Sequence, residues 1–125
     1  TVIYRGISYP ITRIGDAAFA GYTGLKTISI PNSVTTIEAH AFYGCTGLTS
    51  ITIPNSVTTI EENAFRNCTG LTTITIPESV TSIKSGAFSG CSNLTTVNIP
   101  KTKIVIEKGA FDKSAKIIKY KVPKK

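Results

Sequence analysis

The sequence predicts a repeat solenoid of mostly short parallel β-strands with one-turn helical corners. Three recurrences support this fold class. A 23-residue pattern occurs four times, an Ala-Phe pair recurs in each copy, and an Ile-Pro pair recurs at one position of each copy. A fixed period of this length is typical of stacked coils that contact only their neighbours. The leucines that open the four copies are Leu25, Leu48, Leu71 and Leu94.

The whole chain is predicted to form one solenoid. We expect a degenerate N-terminal coil over 1–24, repeats over 25–47, 48–70, 71–93 and 94–116, and a C-terminal cap over 117–125. About five coils exceed the roughly three repeats that a continuous interior requires. The chain begins without methionine and contains neither a signal segment nor a long apolar span, so we expect a mature or excised piece without membrane insertion.

The copy at 48–70 shows how each repeat is expected to fold. Leu48, Ile51 and Ile53 alternate with hydroxyl residues, which predicts a short strand with its apolar side chains inward and neighbouring coils paired in parallel. Pro54 has no amide hydrogen to donate and ends the strand.

The remainder of the repeat forms the opposite wall and a corner. Val57 and Ile60 are predicted to point inward from an extended stretch, and Ala64-Phe65 is predicted to lie in one helical turn. Glycine and asparagine recur at two corner positions, where we expect a positive φ. The first set is Gly21, Gly44, Asn67 and Gly90, and the second is Gly24, Gly47, Gly70 and Asn93.

Three cysteines, Cys45, Cys68 and Cys91, recur at one repeat position. Stacked coils would bring them close enough for a disulfide, although parallel side chains make its geometry awkward. A metal site would need further ligands, and no His or Asp series accompanies the cysteines. The interpretation that we favour is a small buried residue packed at a tight corner, because Tyr22 and Ser114 replace cysteine in the flanking copies.

At this point the repeat reads L-x-x-I-x-I-P-x-S-V-T-x-I-x-x-x-A-F-x-x-C-x-x, and it resembles the BspA-like class of leucine-rich repeat. The resemblance is closest over 25–97 and covers nearly the whole chain. It implies a curved, right-handed leucine-rich-repeat superhelix from a bacterial or protozoan cell-surface protein associated with adhesion. The class has no fixed catalytic or binding motif, so it assigns no site residues. In the last copy Lys101–Ile104 replaces Asn-Ser-Val-Thr, which suggests the end of the array.

The sequence shows no catalytic constellation. His40 is the only histidine, and alanine, asparagine or glycine stands at its position in the other copies, which indicates a variable, solvated site. Glu61 and Glu62 are adjacent carboxylates, but neighbouring copies do not keep the pair. We therefore predict a protein that is not an enzyme and has no catalytic, cofactor-binding or metal-binding residues.

Positive charge is concentrated at the C-terminal end. The chain holds 14 Lys and Arg against 7 Asp and Glu, and residues 1–100 are balanced. A basic end can bind an acidic glycan or nucleic acid, but lysine in place of arginine and few aromatic residues favour a charged cap. The candidate basic patch is Lys101, Lys103, Lys116, Lys119 and Lys121.

The outward positions of the predicted strands form a regular hydroxyl surface. Such a surface suits recognition because it is rigid, although threonine is also ordinary on a solvated strand. We expect an adhesion module of a secreted or cell-surface protein that binds an extracellular protein or glycan, not nucleic acid, and is monomeric or associates weakly end to end. The alternatives are a spacer without a ligand and binding of acidic glycans at the basic end. The candidate binding face is Thr27, Ser29, Thr49, Ser50, Thr52, Thr72, Thr73, Thr75, Thr95, Thr96 and Asn98.

Overall fold

The structure, a computed structural model, describes residues 2–4, 7–9 and 11–122. Parts of the predicted N-terminal coil and C-terminal cap, including Thr1 and residues 123–125, lie outside the described residues. Coils stack along one axis, and short strands recur on two walls of the stack. The strands are β1 (Val2–Tyr4), β2 (Ile7–Tyr9), β3 (Arg13–Ile14), β4 (Thr36–Ile37), β5 (Thr59–Ile60), β6 (Thr73–Thr75), β7 (Ser82–Ile83), β8 (Thr96–Pro100), β9 (Val105–Ile106) and β10 (Lys116–Tyr120).

A continuous parallel sheet lies on the wall that the sequence assigns to the second segment of each repeat. Its order is β3-β4-β5-β7-β9, with one strand from each coil, and we call it the short-strand wall. The register is fixed by isoleucine stacked on isoleucine, as in the pair Ile37 and Ile60. Both side chains are fully buried. The parallel solenoid predicted from the 23-residue period is confirmed, and β1 and β2 add an antiparallel pair.

The other wall, residues 26–30, 49–53, 72–76 and 95–99, carries the hydroxyl positions and is called the hydroxyl wall. Among the described residues, continuous pairing on this wall is limited to β6 and β8, and β10 extends it in the order β10-β8-β6. Between the two N-terminal segments of this wall, 26–30 and 49–53, an isolated bridge joins Ser29 and Thr52. Within the described part of the chain, no backbone hydrogen bond joins 49–53 to 72–76. The expectation that the hydroxyl positions form the continuous sheet is therefore wrong, and we call this unpaired junction the open seam.

The core consists of the apolar residues that recur once per coil. Phe42, Phe65 and Phe88 are fully buried, and the successive rings stack face to face. Their centroids are 5.0 Å apart and their planes differ by 5–6°. This spacing is close to the 4.7–4.9 Å between neighbouring strands, so the rings follow the coil repeat without distorting it. The predicted inward positions Leu48 and Ile53 are also buried.

The predicted helical corner is wrong, because the Ala-Phe segment forms turns and the described residues contain no helix. Alternate N–H groups donate in different directions. The Phe42 N–H donates to Ala64 O of the next coil at 2.7 Å, whereas the Tyr43 N–H donates to His40 O at 3.1 Å. A helix would use every N–H within its own coil. Here half of them join neighbouring coils, and the same residues thereby extend the stack. No helix long and apolar enough to cross a membrane occurs among the described residues.

The backbone conformations of the corner confirm one glycine prediction and correct another. Positive φ occurs at the first predicted set, Gly21, Gly44, Asn67 and Gly90. The second positive-φ position is Ala17, His40, Asn63, Gly86 and Gly109, not the predicted set that includes Gly47, Gly70 and Asn93. At positions 47 and 70 glycine is required by close packing instead. A Cβ would lie 2.3 Å from Thr23 O at position 47 and 2.7 Å from Thr46 O at position 70.

Candidate functional site

The hydroxyl wall presents its predicted face to solvent. Nine of the eleven predicted residues are exposed, and Thr96 and Asn98 are half-buried. Hydrogen bonds between neighbouring coils hold some of these side chains in place. The Asn98 amide donates to the Thr75 hydroxyl at 3.2 Å, and the Thr95 hydroxyl donates to Thr72 O at 3.4 Å. These hydroxyls are thereby held in place, which lowers the entropy that a partner must remove on binding.

Two clefts lie on either side of residues 49–53, the second segment of this wall. The first has a volume of about 400 Å³ and extends from Thr27 and Ser29 to Ser50 and Thr52, with Ile28 and Ile51 in its lining. The second has a volume of about 210 Å³ and lies along the open seam, between Ser50–Ile53 and Thr73–Thr75. Both clefts combine hydroxyls with isoleucine side chains. Ile51, predicted to be buried, is only half-buried because it lines both clefts.

The open seam also leaves backbone groups without a strand partner. At the two ends of β6, the Ile76 N–H donates to Asn98 O at 2.8 Å and Thr72 O accepts from Thr95 N–H at 3.0 Å, so the even-numbered residues of this segment bond toward β8. In a parallel ladder the intervening residues present their N–H and C=O groups to the other side. The backbone groups of Thr73 and Thr75 therefore face the open seam.

A serine of the second full repeat has a buried hydroxyl without a partner. Ser33 and Ser79 donate from their hydroxyls to Ile11 O and Val57 O of the preceding coils. At the equivalent position Ser56 has a buried hydroxyl with no hydrogen-bond partner. The hydroxyl of Ser56 therefore lacks the bond to the preceding coil that Ser33 and Ser79 make, on the turn that follows residues 49–53.

The basic end is exposed as well. All five predicted patch residues, Lys101, Lys103, Lys116, Lys119 and Lys121, are solvent-exposed. Between the lysines of β10 lie Ile117 and Ile118, with 43% and 41% of their surfaces exposed. Val105 on β9 is 64% exposed. The charge of this end was predicted from the sequence, but its apolar surface was not. The apolar Ile117-Ile118 pair within the lysine-rich segment was the available signal.

The cysteines pack and also donate hydrogen bonds. All three are buried and free. The Cys68 Sγ–H donates to Phe42 O at 3.1 Å, and Cys91 donates to Phe65 O at 3.0 Å. The neighbouring thiol of Cys91 and then burial raise the pKa of Cys68, and burial also raises the pKa of Cys45. Such thiols are poor nucleophiles at neutral pH, which agrees with the packing interpretation and adds a donor to it.

The polar residues considered for chemistry remain dispersed. His40 is exposed and its Nε2 lies 3.3 Å from Asn63 Nδ2, while its ring is 5.6 Å from that of Tyr43. Glu61 is half-buried and Glu62 is exposed. No group of three His, Cys, Asp or Glu residues suited to a metal ion occurs in the described ranges.

The coil repeat and exposed hydroxyl wall define a leucine-rich-repeat solenoid, a fold that typically serves as a non-enzymatic binding scaffold. The chain matches the BspA type leucine rich repeat region in six copies over residues 6–125. It therefore belongs to the BspA-type leucine-rich-repeat family, as the resemblance indicated.

Three solved bacterial structures are similar to the chain. A leucine-rich repeat protein from Bacteroides ovatus is 33% identical with a TM-score of 0.80, and the match covers 87% of this chain and 28% of that one. A Treponema (T. pallidum) leucine-rich repeat protein is 38% identical with a TM-score of 0.69, over 70% and 41%. A leucine-rich cell surface protein from Faecalibacterium prausnitzii is 32% identical with a TM-score of 0.54, over 75% and 31%.

The present chain thus spans less than half the length of these three proteins. No curated protein matches it.

Proposed function

We propose that this chain is a non-enzymatic protein-interaction module of a secreted or cell-surface protein and that it acts in adhesion through the hydroxyl wall. The observation that carries the proposal is the pair of clefts beside residues 49–53 of that wall, about 400 and 210 Å³ in volume. Family membership and the neighbour described as a cell surface protein support the location.

The partner that this wall suits best is a protein segment with small apolar side chains and an exposed backbone. Ile28 and Ile51 offer apolar contact inside the clefts. The backbone groups of Thr73 and Thr75 offer hydrogen bonds along the open seam, and the hydroxyls surround both. The wall lacks the Trp, Tyr and Arg side chains that supply most binding hot spots, so we expect modest affinity that multiple contacts would strengthen.

A panel of extracellular-matrix proteins and glycans, screened at about 20 and 150 mM salt, tests the proposal. The double variant Thr73→Glu and Thr75→Glu adds two charges to the wall and should abolish binding to the protein hit. Thr46→Glu with Ser92→Glu is the matched control, because both residues are exposed on the turns after the cysteines and the charge change is equal. Circular dichroism should show both variants folded.

Three results would contradict the proposal. Unchanged binding by the Thr73 and Thr75 variant would place the site elsewhere. Binding that falls steeply with salt and needs the basic patch would favour acidic glycans, because counterion release governs such binding. No hit in either salt concentration would favour a spacer without a ligand of its own.

A further inference from the structure

Four large polar residues interrupt the repeat pattern at the corner of the first and second full repeats. The next coil has glycine and serine at the same two positions, and the preceding coil has alanine at both. Because repeated residues serve the stacking of coils, a local group of departures indicates a surface used for contact. We call His40, Tyr43, Asn63 and Arg66 the corner cluster.

Two residues of the corner cluster adopt a backbone conformation that favours glycine. The φ angle is 59° at His40 and 58° at Asn63, and the next two coils have glycine at this position. Left-handed backbone costs free energy for a residue with a Cβ. The His40 side chain is exposed, so burial does not offset this cost. The packing of the coils therefore does not explain the histidine.

Hydrogen bonds orient the polar groups of the corner cluster. Arg66 Nη1 donates to Asn63 Oδ1 at 3.4 Å. Arginine only donates, so the amide nitrogen of Asn63 is the atom that faces His40 Nε2, at 3.3 Å. His40 Nε2 then accepts this bond, and the neutral imidazole carries its proton on Nδ1. The imidazole also lies 5.6 Å from the ring of Tyr43, so the four side chains form one connected group.

Close packing against the next coil holds the Asn63 amide. A Cβ at Gly86 would lie 2.2 Å from Asn63 Oδ1, so the amide occupies the space that a side chain would need. One coil further, a Cβ at Gly109 would meet Ser85 Oγ at an ordinary contact distance of 3.9 Å. The orientation of Asn63 is thus fixed before a ligand arrives, which reduces the entropy that binding costs.

The groups that remain for a ligand are hydrogen-bond donors. No acceptor within the described ranges meets the Nε–Nη2 edge of Arg66, the Nδ1–H of His40 or the Tyr43 hydroxyl. The planar edge of a guanidinium suits a carboxylate, which it binds through two parallel hydrogen bonds. The corner cluster therefore fits a carboxylate that is accompanied by further oxygen acceptors.

Neighbouring charges limit the number of negative charges on that ligand. Glu61 and Glu62 directly precede Asn63, and Glu38 stands two residues before His40. These carboxylates would repel a polyanion. A sugar acid has one carboxylate and several neutral oxygens on a rigid ring, whereas an acidic peptide side chain has few acceptors beside its carboxylate. The sugar acid therefore matches more of the donors.

We propose that the corner cluster binds a glycan end that carries one sugar carboxylate. The Nε–Nη2 edge of Arg66 receives the carboxylate, and Asn63 and His40 donate to neighbouring sugar oxygens. The Tyr43 hydroxyl bonds to a further hydroxyl of the sugar. None of these four residues lines the two clefts of the hydroxyl wall, so the proposal does not rest on the proposed adhesion surface.

The test titrates methyl glucuronide into the ¹⁵N-labelled chain, with methyl glucoside as the matched sugar that lacks the carboxylate. The glucuronide should shift the Nε–H signal of Arg66 and the side-chain amide signals of Asn63. Its dissociation constant should be about 1 mM, as ordinary ligand efficiency gives for a molecule of this size. The glucoside should bind at least about tenfold more weakly, because it cannot form the charged hydrogen bonds.

One pair of variants tests the charge with residues that the repeat itself uses. Arg66→Ser introduces the residue that the next coil has at this position, Ser89, and should reduce glucuronide binding to the level of the glucoside. Lys26→Thr is the control. It removes an equal charge from an exposed position of the hydroxyl wall, introduces the residue found at Thr49, and should leave binding unchanged.

A second pair tests the positioning of Asn63. Gly86→Ala should displace the Asn63 amide and weaken glucuronide binding about three- to tenfold, while Gly109→Ala should leave it unchanged. Alanine is compatible with this backbone position, since Ala17 adopts a φ of 55° there. Equal binding by both glycine variants would show that the Asn63 amide takes no part.

Several outcomes would overturn the proposal. They are no shift of the Arg66 Nε–H signal up to about 20 mM glucuronide, equal binding of the two sugars, and unchanged binding by Arg66→Ser. Equal or tighter binding of N-acetylglutamate amide, a peptide carboxylate without a sugar, would assign the corner cluster to acidic proteins instead. The Thr73 and Thr75 variant should bind the glucuronide normally, which keeps this test independent of the hydroxyl wall.

Discussion

The two walls of the solenoid are made from the same 23-residue repeat, yet they join the coils differently. On the short-strand wall five strands pair without interruption, and Ile37, Ile60 and Ile83 are fully buried. On the hydroxyl wall pairing is interrupted at the open seam, and Ile51 is only half-buried. The comparison shows that one closed wall and a stacked aromatic corner can hold the coils together. The other wall can then open clefts for contact.

The largest expected difference between the walls concerns isoleucine truncation. Ile60→Ala removes a fully buried side chain from the closed wall and should lower the free energy of unfolding by about 2–5 kcal/mol. Ile51→Ala should cost about half as much or less, because its side chain already contacts open clefts. Urea denaturation of both variants measures the difference. Equal losses would mean that the hydroxyl wall is packed as tightly as the short-strand wall.

A side chain at position 70, in the turn that leads to the open seam, should lower the free energy of unfolding. Gly70→Ala would place a Cβ 2.7 Å from Thr46 O and 2.8 Å from Leu48 O, and the required shift should cost about 1–3 kcal/mol. Gly24→Ala is the matched control, since its Cβ would meet only the Tyr22 ring at 3.6 Å. Thermal unfolding should show a clear loss for the first variant and almost none for the second. Similar midpoints would contradict the close approach of these coils.

One side-chain hydrogen bond adds to the backbone pairing in the closed part of the hydroxyl wall. The Tyr120 hydroxyl donates to Ile76 O at 2.6 Å, from β10 across β8 to the end of the β6 segment. Tyr120→Phe should therefore cost about 0.5–1.5 kcal/mol. The same truncation made at Tyr43, which lies at the corner away from this wall, is the control.

The contribution of the Tyr120 hydroxyl to the free energy of unfolding depends on pH with a defined sign. Burial, and then the negative charge of Glu78, raise the pKa of Tyr120. A raised pKa in the folded state contributes stability below the unfolded pKa of about 10, and that contribution is lost as pH rises through the folded value. Chemical denaturation between pH 8 and 11 should show this loss in the unmodified chain. A Tyr120→Phe variant with the same high-pH loss would contradict the assignment.

The smallest expected effect compares two threonines at one repeat position. Thr95→Val removes a hydroxyl that donates to Thr72 O, whereas Thr72→Val lies at the open seam, which no backbone hydrogen bond crosses. The first variant should be less stable than the second by about 0.5 kcal/mol. Indistinguishable midpoints in urea would indicate that the hydroxyl bond contributes nothing measurable.

Much of this architecture was accessible from the sequence. The period predicted the parallel coils, and the recurring Leu, Ile, Ala-Phe and Cys positions predicted the core. The helical corner was wrong because local pattern cannot show that alternate N–H groups, such as that of Phe42, bond to the next coil. Gly86 and Gly109 at the position of His40 were a usable signal for positive φ there. The prediction of a positive φ at Gly47 and Gly70 was wrong, because close packing selects glycine as strongly as a positive φ does.

The open seam and the clefts could not be predicted, because the segments on either side of the seam are nearly identical in sequence. Residues 48–53 read Leu-Thr-Ser-Ile-Thr-Ile and residues 71–76 read Leu-Thr-Thr-Ile-Thr-Ile. Whether two such strands pair depends on how the corner and the opposite wall orient the coils, which is a property of the assembled stack. The candidate face was predictable as a solvated surface, but its division by the open seam was not.

Amide hydrogen exchange measured by NMR tests the difference between the walls most directly. The N–H groups of Glu61 and Lys84 donate across the short-strand wall at 2.9 Å and should be protected by at least about a thousandfold. Those of Thr73 and Thr75 face the open seam and should exchange within about tenfold of the unprotected rate. Comparable protection of Thr73, Thr75, Glu61 and Lys84 would show that both walls are closed and would contradict the account.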